Sequence, residues 1–155
     1  MYLPRFRPTP AGDVTVALAP HEREALRELA QAVRNLVAER DGEPELRRLH
    51  PPAHDDPQLQ EEYDELTYRQ LKRGREQALD LLQETLDQDV LSADEADAWL
   101  RALNDVRLVL GTRLDVTEDF DWEAVKLDDP RAPDLAAYAY SSWLQEQLVE
   151  ATGRI

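Results

Sequence analysis

Residues 92–114 read SADEADAWLRALNDVRLVLGTRL, and this stretch decides the fold. At about 100° per residue, Ala96, Trp99, Leu100, Leu103, Val106, Leu110 and Leu114 fall on one arc, the signature of an amphipathic helix. Ser92 and Glu95 have the S-x-x-E spacing of a capping box, which fixes where that helix starts. Arg107 falls within the apolar arc. An unpaired buried charge costs several kcal/mol, so Arg107 needs a partner. The expected partner is a carboxylate from Asp55, Asp56 or Glu146, or carbonyls at a helix end. The alternative is an anion held in a pocket. Asn104 is expected at the flank of the arc, and Asp105 is expected to point away from it.

Upstream of this helix, a helical pattern runs from Pro57 to about Asp89. Leu59, Tyr63 and Leu66 lie on one arc; Leu71, Ala78, Leu82 and Leu86 lie on another, rotated by roughly 120°. Either one helix bends, or two helices meet near Thr67–Leu71. The early part is acidic, and Arg69, Lys72, Arg73 and Arg75 follow it. Four bases in an acidic chain, with no aromatic platform, make a weak nucleic-acid patch. Local pairing such as Glu65 with Arg69 is the expected use of these charges.

Further upstream, residues 2–18 read as a hairpin: Phe6 on one arm, Val14, Val16 and Leu18 alternating on the other, and turn residues Pro8–Asp13 between. Arg5 and Arg7 should face out and protect an edge. Pro20 opens a helix to about Arg40, with Leu26, Leu29, Ala30, Val33, Leu36 and Val37 as its buried stripe. Residues 42–57 are proline-rich and linker-like, with a short helical turn expected at Glu45–Leu49. Within them His50, His54, Asp55 and Asp56 are a possible metal ligand set. Prolines 51 and 52 prevent the two histidines from sharing a helix face, and no metal spacing is matched. Asp56 as a helix cap before Pro57 is the simpler role.

Downstream, Asp115–Pro133 is an acidic loop lacking the spacing and glycine of a calcium-binding loop. Phe120, Trp122, Val125 and Leu127 are expected to pin it to the body. The last helix follows Pro133 and ends near Gly153. It carries two apolar stripes, one through Leu135, Tyr138, Ala139 and Val149, the other through Ala137, Tyr140, Leu144, Leu148 and Ala151. Two stripes mean burial on both sides, or one stripe against another chain; a homodimer through this helix is the assembly that the second case implies.

The expected architecture is therefore mainly α (α+β): a bundle of about five helices with a small N-terminal hairpin, residues 1–155 as a single domain, the hairpin over 2–18 and the helical body over 20–155. The net charge of −15 disfavours nucleic acid and favours basic partners. With no cysteine, disulfides, thiolate metal sites and cysteine catalysis are excluded. The N-terminal MYLPRFRPTP has no apolar signal core and no run is long enough for a membrane span, so a cytoplasmic protein without a membrane partner is expected.

RLHPPAHDDP (48–57), WLRALNDVRLVLGTRL (99–114) and LQEQLVEA (144–151) together resemble an actinobacterial family labelled a domain of unknown function, which includes the redox-responsive regulator AosR. The resemblance covers nearly the whole chain and is most distinctive at LNDVRLVLGTRL. It implies a regulatory, protein-binding role, with a sigma factor or other transcription component as partner. Disulfide sensing does not carry over to a chain without cysteine. The expected function is thus a non-catalytic regulatory protein-binding module with no cofactor. Arg107, Asn104, Asp55, Asp56, Tyr140, Leu144 and Leu148 are its candidate partner-binding or structural residues. The competing reading is a metal- or anion-binding enzyme or ligand sensor using His50, His54, Asp55, Asp56 and Arg107.

Overall fold

The computed structural model describes residues 4–39 and 57–153. Two strands, β1 (Phe6–Pro8) and β2 (Val14–Val16), form the expected hairpin, with Phe6 opposite Val16. Gly12, at φ 91°, turns the chain between them, because positive φ carries no Cβ penalty in glycine. A third strand, β3 (Val90–Leu91), pairs antiparallel with β2 and places Leu91 opposite Val14. Phe6, Val14, Val16 and Leu91 are all buried on one face of this sheet. Two residues are too few to show a period, so β3 is invisible to pattern reading.

Among the described residues four α-helices carry the rest: α1 (Pro20–Glu39), α2 (Pro57–Thr85), α3 (Ala93–Arg113) and α4 (Ala132–Thr152). This corrects the expected five. The region from Pro57 is one helix ending at Thr85. Ala78, Leu79 and Leu82 form its buried stripe, continued by Leu86 just past its end, while Leu59 and Leu71 are exposed. The expected turn at Glu45–Leu49 lies outside the described residues.

α3 is the central element. It packs against α2 on one flank, α4 on the other and α1 behind. Its start has the expected capping box: Glu95 N–H donates to Ser92 Oγ (3.1 Å), and Ser92 N–H donates to Glu95 Oε1 (2.8 Å). Trp99 is fully buried, meets Phe6 edge-on and donates its indole N–H to Thr85 Oγ1 (2.6 Å). That bond satisfies the only polar atom of a large core side chain. The apolar residues of all four helices and the sheet join one core cluster.

Two arginines stitch the periphery. Arg23 donates to the carbonyls of Leu18, Leu86 and Gln88 and pairs with Asp89, so a cation closes the C-terminal end of α2. Arg5, expected to face out, instead pairs with Glu22 at 3.1 Å and lies over the Trp143 ring. Its backbone N–H donates to Gln147 Oε1 of α4. The outer edge of β1 is therefore covered by α4 rather than guarded by free charge.

Candidate functional site

The polar residues of α3 sort onto two flanks. Toward α4, Arg107 donates from Nε to Gln145 Oε1 and from Nη2 to Asn104 Oδ1, both at 3.0 Å, and Gln145 Nε2 donates to the same Asn104 oxygen at 3.3 Å. Among the described residues, the hydrogen-bond partners of Arg107 are two neutral amides, and Glu146 is not one of them. Arg107 is only half-buried and borders an open groove with Ser142, Gln145, Glu146 and Val149, so water shares the solvation of its charge. Asp55 and Asp56, the other expected partners, lie outside the described residues, as do His50 and His54.

Toward α2, the structure reverses an expectation. Asp105 does not point away; it is 6% exposed. Its carboxylate lies 3.7 Å from Arg75 Nε, too long for a hydrogen bond, and accepts none from a described residue. Burial pushes its pKa up to about 6, against the opposing pull of Arg75 and Arg101. Asp105 and Arg75 border a cavity of about 270 Å³ between α2 and α3, with Arg101, Asn104, Leu71 and Gly74. The overlooked signal is a second stripe on α3, Ala98–Ala102–Asp105–Val109, at helical spacing. Ala98, Ala102 and Val109 are all buried. The stripe is made of small residues and so escapes a reading keyed to large ones. Arg75 therefore pairs across helices, beyond the local pairing expected of the basic cluster.

On α4, Leu144 and Leu148 are fully buried in the chain's own core. Their stripe is thus covered intramolecularly. Tyr140 is half-buried and donates its hydroxyl to Glu22 Oε2 at 2.6 Å. Glu22 also accepts from Arg5 Nε and Ala19 N–H. Burial pushes the Glu22 carboxyl up, but these three donors together outweigh it and hold the pKa below the ordinary value. These contacts tie Tyr140, Leu144 and Leu148 to the rest of the chain.

The acidic loop is pinned differently from expectation. Asp121 caps a 3-10 turn at Trp122–Ala124. Trp122 stacks on Tyr138, with centroids 5.9 Å apart and planes at 17°, and Phe120 meets Trp122 edge-on at 4.8 Å. Phe120 and Val125 pack on the core. Leu127, expected to pin the loop, is fully exposed, and Trp122 remains 43% exposed. Glu118, Asp119, Asp121, Glu123 and Asp128 surround these side chains in sequence, and all are exposed. The result is an aromatic platform set among carboxylates.

Among the described residues, no cluster of three His, Asp or Glu side chains could hold a metal ion. No helix of the described residues is long and apolar enough to cross a membrane. No curated protein and no solved structure matches the chain. A family model does match it, over residues 4–152, a span that includes every strand and helix described above. The chain belongs to the family described as a domain of unknown function (DUF2017).

Proposed function

We propose that this chain is a non-catalytic regulatory module that binds a basic segment of a protein partner through its acidic aromatic loop. The observation that supports this reading is the platform of Trp122 on Tyr138, with Leu127 entirely exposed beside it in the chain. Exposed apolar surface forgoes about 25 cal/mol per Å² that burial would return, so a large aromatic and a leucine left outward on one loop fit a surface that is covered by something else. Tryptophan is also among the residues that most often dominate binding energy at interfaces. The surrounding carboxylates and the net charge of −15 select a cationic partner. Lysine or arginine side chains of such a partner can lie over the Trp122 face while pairing with the rim acids.

The resemblance to the actinobacterial family that includes AosR supports a sigma factor or other transcription component as the partner, in the cytoplasm. It does not supply a signal, since disulfide chemistry is impossible without cysteine. The test is isothermal titration of the full chain with each sigma factor encoded by the same genome. A partner of micromolar or tighter affinity is expected. Trp122→Ala should weaken it by about tenfold or more, equivalent to about 1.4 kcal/mol. Raising salt should weaken it further. If every sigma factor fails to bind at low salt, or Trp122→Ala binds as the parent does, the reading is wrong.

A further inference from the structure

The cavity between α2 and α3 is independent of the aromatic loop, and three of its features point to an occupant. The first is Asp105. Its side chain is 9% exposed, yet the carboxylate accepts no hydrogen bond from a described residue, and its nearest cation stands at 3.7 Å. Buried carboxylates are ordinarily satisfied by two or more donors, so this one has acceptor capacity directed at the cavity it borders. The raised pKa of Asp105 is consistent with that deficit of donors.

The second feature is the charge arrangement. Arg75 and Arg101 both act on Asp105 from the cavity wall, so one acid and two bases converge on it. Arg101 is 64% exposed, is held at 3.5 Å by Asp97 one turn earlier, and stands at the mouth. A planar guanidinium so placed suits a carboxylate. The third feature is Gly74. It sits in the interior of α2, where glycine is about 1 kcal/mol worse than alanine. A Cβ built there meets nothing within 4 Å, so no packing contact requires the glycine. What its absent side chain does is leave the cavity open. Leu71 and Ala78 supply apolar wall on the same helix.

We propose that this cavity binds a small organic acid that carries a hydrogen-bond donor next to its carboxylate, the shared chemistry of α-amino and α-hydroxy acids. The donor bonds to the Asp105 carboxylate, the acid group pairs with Arg101 and Arg75, and a short aliphatic body lies on Leu71 and Ala78. The volume of about 270 Å³ lies just below the usual range for small-molecule sites, which favours a ligand of this size over a nucleotide.

Four probes with one branched aliphatic body separate the terms: leucine, 2-hydroxy-4-methylpentanoate, 4-methylpentanoate, which lacks the donor, and 3-methylbutylamine, which lacks the acid. Each is titrated into the isotope-labelled full chain and followed by amide NMR shifts. Leucine or its hydroxy analogue is expected to bind, with shifts at Gly74, Arg101 and Asp105, and the two truncated probes should bind about tenfold more weakly or worse. Which of the first two binds more tightly identifies the donor. Gly74→Leu should fill the cavity and abolish the shifts, and Gly74→Ala, a smaller change in the same helix, should reduce them while preserving the Trp99 indole resonance as the mark of an intact core. Asp105→Asn should weaken leucine more than 4-methylpentanoate. Absence of shifts with both full probes at about 20 mM, beyond ordinary millimolar affinities, would overturn the proposal. So would equal binding of the donor-less acid, or shifts that persist in Gly74→Leu. Partner binding through Trp122 should be unchanged in the Gly74 variants, so the two functions fail separately.

Discussion

Asp105 shows what one misplaced polar residue does to a helix. Its neighbours on the same stripe, Ala98, Ala102 and Val109, are buried, and it is carried inward with them. The cost appears as a carboxyl whose pKa is pushed to about 6 from 3.8. That difference corresponds to about 2–3 kcal/mol at most, at 1.36 kcal/mol per unit. The sign follows from proton binding. The folded carboxyl holds its proton more tightly than the unfolded one, so the penalty is complete above about pH 6 and disappears as pH falls toward 4. Asp105→Asn removes the titration but keeps the shape. Its stability relative to the parent, measured by urea unfolding, should therefore be most favourable at pH 8 and decline by about 2 kcal/mol by pH 4. A difference that stays flat across that range would show that Asp105 titrates as a solvated acid.

At the scale of elements, α2 and α3 contrast. α3 is defined by its own sequence, with a capping box at one end and buried residues on both flanks. α2 is long and carries exposed Leu59 and Leu71, and Gly74 weakens it from within. Because a Cβ at Gly74 meets open space, Gly74→Ala should stabilise the chain by about 0.5–1 kcal/mol, read as a higher urea midpoint at unchanged m-value. Loss of stability would mean that the alanine methyl is not accommodated there. The C-terminal end of α2 relies on a residue from elsewhere: Arg23 of α1 satisfies carbonyls at Leu86 and Gln88. The helix therefore stops where a tertiary partner can receive it, short of the end that its periodicity implied.

At the scale of the molecule, three segments far apart in sequence meet at Glu22. Arg5 comes from the start of the sheet, Glu22 from α1 and Tyr140 from α4. Burial also raises the Tyr140 hydroxyl pKa, as does its bond to Glu22, so it remains a donor throughout the physiological range. Tyr140→Phe removes one donor to a buried carboxylate and should cost about 1–3 kcal/mol at pH 7. Glu22 titrates below its ordinary 4.5, so the stabilisation it provides is complete above that value and is lost as pH falls through the lower folded value. The deficit of Tyr140→Phe should accordingly shrink in acid. A deficit that is the same at pH 7 and pH 3 would assign it to packing alone. The surplus of negative charge acts at this scale too: a net −15 produces a field that repels anionic surfaces and attracts cationic ones.

The sequence alone determined the local features: the apolar periods of α1 and α3, the Ser92–Glu95 box, the hairpin alternation, the Gly153 stop of α4 at φ 73° and the acidic surface. Each depends on residues within a turn or two of one another, so neighbouring identities suffice. Tertiary structure decided the rest. Among the described residues Arg107 meets amides, because α4 brings Gln145 beside it. Asp105 went inward because α2 covers a stripe of small residues whose burial no local pattern announces. β3 exists only because β2 offers it an edge, and Leu127 stays outside because nothing in the loop's own sequence specifies what covers it. Where a side chain's environment is made by another element, its meaning becomes legible only once the chain has folded.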